Sequence, residues 1–308
     1  MFGKFSVLCV LLGFAGCASA PRNSNREWPR YTLKAAQTVA LSAPDGERFD
    51  ASALLLLPDG SLLTVNDRGP EVYRIDRTTD AAEARLIPVP NLFRPAELAR
   101  FVALKQGHYD CEGLARDEQG RIYICEEANR WILRCDPGTG RVERLPIDWS
   151  PVESFFSADP NASFEGIAVG GGKLYVANER SAALVIAVDL VSLRVTGWFQ
   201  PQPRKGSLLG THYSDLCWFE DRLWILCRQH RVVLEVNPRT REVVGEFDYE
   251  AIEDALGYHK MLPVGIMEGL AVDRDAIWLV TDNNGLPRKS ARHDIRPTLV
   301  RCPRPELR

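Results

Sequence analysis

Two sets of polar residues recur along this 308-residue chain, and their types could do chemistry if the fold brings them together. The first set is Ser52, Glu112, Glu165, Ser214 and Glu268. Each opens a short motif: Ser52-Ala53-Leu54, Glu112-Gly113-Leu114, Glu165-Gly166-Ile167, Ser214-Asp215-Leu216 and Glu268-Gly269-Leu270. The second set follows in every copy: Asn66-Asp67, Glu126-Glu127, Asn178-Glu179, Arg228-Gln229 and Asp282-Asn283. Carboxylates and amides converging on one point make an oxygen-rich site. Such a site suits Ca²⁺, which takes roughly six to eight oxygen ligands. The expected metal ligands are Glu112, Glu165 and Glu268 with Asn66, Asn178 and Asp282. Without a cation, inward glutamates would repel one another and at least one would hold a proton. The competing expectation is a ring of structural carboxylates bonded to backbone N–H groups of neighbouring repeats.

Cations accompany the acids. Arg68, Arg130, Arg180, Arg228 and Arg231 lie beside or just past the second set, and His108-Tyr109, His212-Tyr213 and Tyr258-His259 lie near the first. Guanidinium groups gathered on one face grip phosphate or carboxylate through paired N–H donors. The expected substrate-binding residues are therefore Arg68, Arg130, Arg180, Arg228, His108 and His212. They could equally be solvated partners of Asp67, Glu127 and Glu179, and a His beside an aromatic often only packs. No catalytic residue stands out. There is no G-x-S-x-G elbow, no H-E-x-x-H and no P-loop. Ser214 lies two residues after His212, but neighbours on one strand do not make a triad.

What must position these residues is a repeat. From Ser52 to Glu112 is 60 residues, to Glu165 a further 53, to Ser214 49 and to Glu268 54. A period of about 40–50 residues made of short strands is the signature of propeller blades. In the second copy, Cys111–Ala115, Arg121–Cys125, Trp131–Cys135 and 142–147 read as strands, bounded by Asp117-Glu118-Gln119-Gly120 and Asp136-Pro137-Gly138. The fifth copy is one strand short. Tyr31 to Leu41 supplies a candidate, with Tyr31, Leu33, Ala35, Val39 and Leu41 on one face and Gln37 interrupting it. Joining first and last strands would close the ring and cover its edges. The fold class is thus all-β, a β-propeller of five blades closed by an N-terminal strand. Six blades is the alternative because the first step is long, and a β-sandwich would not need five equivalent copies.

Composition agrees with an ordinary globular chain: 45% apolar, 26% charged. A net charge of −3 argues against nucleic acid as the main partner. No internal stretch is apolar for long enough to span a membrane. The N-terminus differs. Lys4 precedes the apolar run Phe5 to Phe14, which reads as an export signal over residues 1–20. Phe14-Ala15-Gly16-Cys17 resembles a lipoprotein box, with Cys17 as the lipidated residue. The alternative is plain secretion after Ala18-Ser19-Ala20. Residues 21–30 would be a tether, 31–303 the propeller and 304–308 a tail. Ala18 after Cys17 resembles outer-membrane sorting, so the expected location is the periplasmic side of the outer membrane, or soluble periplasmic or secreted under the alternative. With Cys9 and Cys17 set aside, six cysteines remain: Cys111, Cys125, Cys135, Cys217, Cys227 and Cys302. An oxidising compartment permits disulfides, with Cys111–Cys125 the pair expected across a hairpin. The other reading makes most of them small buried apolar residues.

The motifs Asn66-Asp67-Arg68-Gly69-Pro70, Asp110-Cys111-Glu112-Gly113-Leu114, Ser163-Phe164-Glu165-Gly166-Ile167, Met267-Glu268-Gly269-Leu270-Ala271 and Thr281-Asp282-Asn283-Asn284-Gly285 resemble the phytase-like propeller family, named for an esterase-like activity of phytase. Tyr175 to Arg180 and the Ser214 copy are similar to the related SdiA-regulated propellers. The resemblance covers most of residues 45–303. It implies a propeller and a broad hydrolase class, esterase- or phosphatase-like. The Asp-Asp-Pro-Ala metal motif of true propeller phytases is absent, which argues against phytate as substrate. The expectation is an exported, lipid-anchored monomer that binds, and could hydrolyse, a small anionic ester at a channel mouth with Ca²⁺ as cofactor. It would touch the membrane only through its anchor. The alternative is a non-enzymatic envelope scaffold for a glycan or protein.

Overall fold

The structure is a computed structural model that describes residues 27–77, 81–101, 109–159, 162–180, 182–260 and 264–306. Cys17, the export signal and His108 lie outside them. Two strands precede the repeats, β1 (Arg30–Thr32) and β2 (Gln37–Ser42). The first repeat forms β3 (Leu55–Leu56), β4 (Leu62–Asn66), β5 (Gly69–Asp76) and β6 (Glu83–Pro88), followed by α1 (Pro95–Leu98). The second forms β7 (Cys111–Arg116), β8 (Ile122–Glu126), β9 (Trp131–Cys135) and β10 (Val142–Arg144). The third forms β11 (Phe164–Gly170), β12 (Lys173–Asn178), β13 (Leu184–Asp189) and β14 (Val195–Phe199). The fourth forms β15 (Tyr213–Phe219), β16 (Arg222–Cys227), β17 (Val232–Asn237) and β18 (Glu242–Asp248), with α2 (Glu250–Leu256) after it. The fifth offers β19 (Met267–Val272), β20 (Ala276–Thr281) and β21 (Thr298–Pro303).

Within each repeat the strands pair antiparallel in chain order. The turns carry the local chemistry that makes this so. Asp117, for example, accepts the Arg121 N–H at 2.9 Å, its Nε at 2.6 Å and the Tyr123 hydroxyl at 2.8 Å, which pins the β7–β8 hairpin. The second strands β8 and β20 are buried along their whole length because neighbouring repeats cover both faces. Apolar residues fill each gap between repeats: Leu63 and Val65 meet Leu114 and Ile124, while Tyr123 and Ile132 meet Leu174 and Ile186. Burial of this kind contributes about 25 cal/mol per Å² and is the main stabilising term. Among the described residues, the short strands, two helices and propeller-type pairing establish a nearly all-β fold. Among the described residues no helix is long and apolar enough to cross a membrane.

The segment read as one N-terminal strand is split. Residues 33–36 are irregular, and the two parts serve different repeats. β1 lies parallel to β18, placing Tyr31 on Phe247 with ring centroids 5.0 Å apart. β2 pairs antiparallel with β21 and parallel with β6, so Val39 and Leu41 pack beside Trp278 and Leu62.

The expected Cys111–Cys125 disulfide does not form, and all six cysteines among the described residues are free. The register explains it. Cys111 pairs with Glu126 and Cys125 with Gly113, so the two thiols leave opposite faces of the sheet. Cys111 packs towards the first repeat and Cys125 towards the third.

Candidate functional site

The innermost strands of successive repeats pack on one another: β3 on β7, β7 on β11, β11 on β15, β15 on β19, and β19 on β3. In four of them the register slips at the same place, between Cys111 and Gly113, Phe164 and Gly166, Tyr213 and Asp215, and Met267 and Gly269. The residue passed over is Glu112, Glu165, Ser214 or Glu268. A β-bulge bends its strand and re-aims one side chain. The repeated glutamate therefore sits on a bulge, out of the pleat. The following glycine is needed for close approach. A Cβ on Gly166 would lie 2.5 Å from Asp215 Cα, and one on Gly269 would lie 2.6 Å from the Ala53 carbonyl carbon.

In the fourth repeat, Asp215 occupies the place that glycine holds in its neighbours. Its carboxylate is fully buried and accepts N–H donors from Leu216 at 2.8 Å, Leu270 at 2.7 Å and Leu54 at 3.4 Å. One side chain thus ties the fourth repeat to the fifth and the first at the waist of the molecule. Burial pushes its pKa up, against the pull of the three donors. The backbone-bonded role foreseen for the repeated glutamates falls to Asp215 and to Glu127, which accepts the Ser163 N–H at 3.1 Å.

Above the waist is the mouth. The second set of residues is held by one backbone hydrogen bond common to all five repeats: Asp67 to Asp50, Glu127 to Asp110, Glu179 to Ser163, Arg228 to His212 and Asp282 to Ile266. Asp282 is therefore the counterpart of Asp67, Glu127 and Glu179. Thr281, opposite Met267, is the counterpart of Asn178, which lies opposite Phe164.

The predicted ligands divide. Glu112 and Glu165 belong to two overlapping clusters, Asp110–Glu112–Glu127 and Glu127–Glu165–Glu179, whose carboxylate oxygens lie within 4.8 Å of one another. Glu165 is 7% exposed and has no hydrogen bond or ion pair among the described residues. Glu268 instead pairs with Arg228. Asn66 accepts the N–H groups of Asp50 and Arg68, Asn178 donates to the Arg180 and Ala182 carbonyls, and Asp282 accepts from Asn284.

The predicted anion-binding residues divide as well. Arg228 spans Glu179, at 2.5 Å, and Glu268. Arg180 reaches Glu179 at 2.7 Å, and His212 Nδ1 lies 3.1 Å from the same carboxylate. Arg68 is exposed, 3.8 Å from Asp50. Arg130 turns away to the Ser157 carbonyl and stacks over Phe156. Of the other motif cations, Arg231 pairs with Glu250, Glu253 and Asp254.

Charge follows this layout. Burial, reinforced by neighbouring acids, pushes the Glu112 and Glu165 carboxyls well above the ordinary range. Burial also raises Glu127 and Asp67 to about 8 and Asp282 to about 7. Glu179 goes the other way: despite its burial, the close His212 ring and the charges of Arg228 and Arg180 hold it low. All-oxygen clusters of this kind suit a hard cation such as Ca²⁺. The bulges and the cross-repeat ion pairs carry no sequence signal beyond the repeated Glu-Gly itself.

Comparisons with known proteins agree on the architecture. Myxococcus xanthus glutaminyl cyclase is 14% identical and superposes with a TM-score of 0.59 over 90% of this chain and 97% of its own. That likeness shows a propeller-type fold and nothing of the chemistry. Looser likenesses are virginiamycin B lyase from Staphylococcus aureus (12% identity, TM-score 0.45, 87% of this chain and 99% of that one) and a Xanthomonas campestris gluconolactonase (11%, 0.46, 82% and 72%). No curated protein is similar in sequence. The family model described as phytase-like, esterase-like activity of phytase, matches residues 99–285.

Proposed function

The chain belongs to the phytase-like family, and from that premise we propose that it is a five-bladed propeller, closed by β2, which binds and hydrolyses a small anionic ester at the mouth. The observation that carries this reading is the juxtaposition of unbalanced carboxylates, Glu112, Glu127 and Glu165, with a cationic cluster around Glu179. Asp110, Glu112, Glu127 and Glu165 would hold Ca²⁺, which when bound supplies neutralising charge and polarises an ester oxygen. Arg68, the most exposed of the mouth arginines, would grip the anion. With Nδ1 facing Glu179, His212 would have Nε2 left to exchange a proton with the substrate.

The test is a panel of phosphate and carboxylate esters, assayed with chelator and with added Ca²⁺. Turnover that falls on chelation, returns with Ca²⁺ and is lost in Glu165→Gln supports the hydrolase. A second reading, an envelope scaffold for a glycan or protein, is favoured by Arg228, whose guanidinium is already engaged with Glu179 and Glu268. No turnover across the panel, with the mouth variants silent, decides for the scaffold. The same proposal places the protein on a lipid anchor at Cys17, facing the periplasm. Cys17→Ser should move it from the membrane to the soluble fraction, and an unchanged fractionation would end that part.

A further inference from the structure

At the far ends of the strands, between the third and fourth repeats, lies a groove of 320 Å³ that none of the mouth chemistry uses. Its floor is made small by Ala187 and Gly197, which pair across β13 and β14. A Cβ on Gly197 would come within 2.8 Å of Arg241 Nη2, so the bare backbone lets that guanidinium lie along the strand. Lys173, Arg239 and Arg241 line the groove against one carboxylate, Asp221. Among the described residues, neither arginine has a carboxylate within ion-pair distance. Arg241 makes one 3.4 Å bond to the Trp198 carbonyl, and Lys173 donates to Thr196 at 3.0 Å.

The fourth polar group is Tyr175. It is 5% exposed, and its ring stacks on Trp218 with centroids 5.6 Å apart and planes 11° apart. The stack fixes the ring, yet the hydroxyl has no hydrogen-bond partner among the described residues. Burial raises its pKa, and the nearby Arg239 charge opposes that rise. A phenol held by its ring stack thus lies beside two exposed guanidinium groups that no carboxylate neutralises. A held phenol loses little freedom on binding.

We propose that this groove binds a small phosphomonoester. The lining carries two positive charges more than it cancels, which matches the roughly −1.5 to −2 of a phosphate monoester at neutral pH. Guanidinium groups present paired donors to phosphate oxygens, and the Tyr175 hydroxyl adds another. The volume lies at the lower end of the roughly 300–1,000 Å³ range of small-molecule sites. The site is independent of the mouth.

The test is calorimetric titration of the full chain with glycerol 3-phosphate, with glycerol as the neutral control. Saturable binding is expected for the phosphate alone. Arg239→Gln and Arg241→Gln should each weaken it by about tenfold, since each removes a charge-assisted pair. Tyr175→Phe, which keeps the stack and removes only the hydroxyl, should weaken it by a smaller factor. Arg239→Lys should recover part of the loss. In a Glu165→Gln background, where the proposed mouth site is disabled, the phosphate should still bind and both arginine variants should still weaken it, which separates this site from the proposed esterase site. Absence of heat with the parent, or binding indifferent to both arginine variants, overturns the proposal. So does co-sedimentation with phosphatidic acid vesicles in the absence of any binding to the soluble ester, which would assign the groove to a membrane surface.

Discussion

Two sides of the mouth are built on corresponding positions and reach opposite charge states. Around Glu179, Arg228, Arg180 and His212 converge on one carboxylate and keep it ionised. Along the arc through Glu112, Glu127 and Glu165, no cation lies within ion-pair distance among the described residues, and burial drives the carboxyls towards their neutral form. Glu127 and Glu179 hold corresponding places, fixed by corresponding backbone hydrogen bonds. What separates them is the next repeat. The fourth repeat carries Arg228 where its neighbours carry an acid, and that one exchange neutralises its side of the ring. Charge state here is a property of the interface between repeats, not of the repeat.

The largest effect should come from breaking the balanced side. Arg228→Met would leave Glu179 and Glu268 buried without their shared partner, at a cost of about 3–5 kcal/mol in urea unfolding at neutral pH. A loss below about 1 kcal/mol would mean that Arg180 and His212 balance Glu179 without Arg228.

Next in size is the cation. At a free Ca²⁺ concentration about a hundred times its dissociation constant, binding stabilises the folded chain by about 2.7 kcal/mol. Melting should therefore rise with Ca²⁺ and fall with chelator, and Glu165→Gln should blunt the response. A melting curve indifferent to both would remove the metal from the unbalanced side.

Acid should sharpen the contrast without any mutation. Glu127 and Asp67, at about 8, and Asp282, at about 7, bind protons in the folded chain that the unfolded chain has released. Their contribution is complete below the ordinary carboxylate range and is lost as pH rises through 7 to 8. Cation-free protein should gain stability on moving from pH 8 to pH 6, by an amount on the order of 1–2 kcal/mol. Glu179 has the opposite sign. Its contribution is present above the ordinary carboxylate range and is lost as pH falls through its lowered pKa. Stability that instead climbs steadily towards pH 8 would show the arc to be ionised and already compensated.

The smallest effect is also the most selective. Glu112→Gln, in chelator, should stabilise by about 0.5–1 kcal/mol, because an amide ends the repulsion from Glu165 and Asp110. Any marked destabilisation would make Glu112 a structural partner.

Much of this was legible in the sequence, for a definite reason. A strand that is covered on both faces writes itself as an unbroken apolar run, and Ile122–Cys125 or Leu223–Cys227 can hardly be read otherwise. Turn chemistry such as Asp117 to Gly120 is equally local. The mouth was legible only as a list of members. That Arg228 reaches Glu179, 49 residues earlier, depends on which repeat faces which. That Asp282 ranks with Asp67, not Asn66, depends on the register in which Met267 faces Thr281. The two thiols of Cys111 and Cys125 looked like neighbours because a hairpin brings their backbones together, while the pleat sends their side chains apart.

Asp215 has a consequence of its own. By accepting N–H donors from the fourth, fifth and first repeats together, one buried carboxylate fastens the beginning of the repeat array to its end. Release there is all or none: freeing any one partner strands an acid among apolar residues.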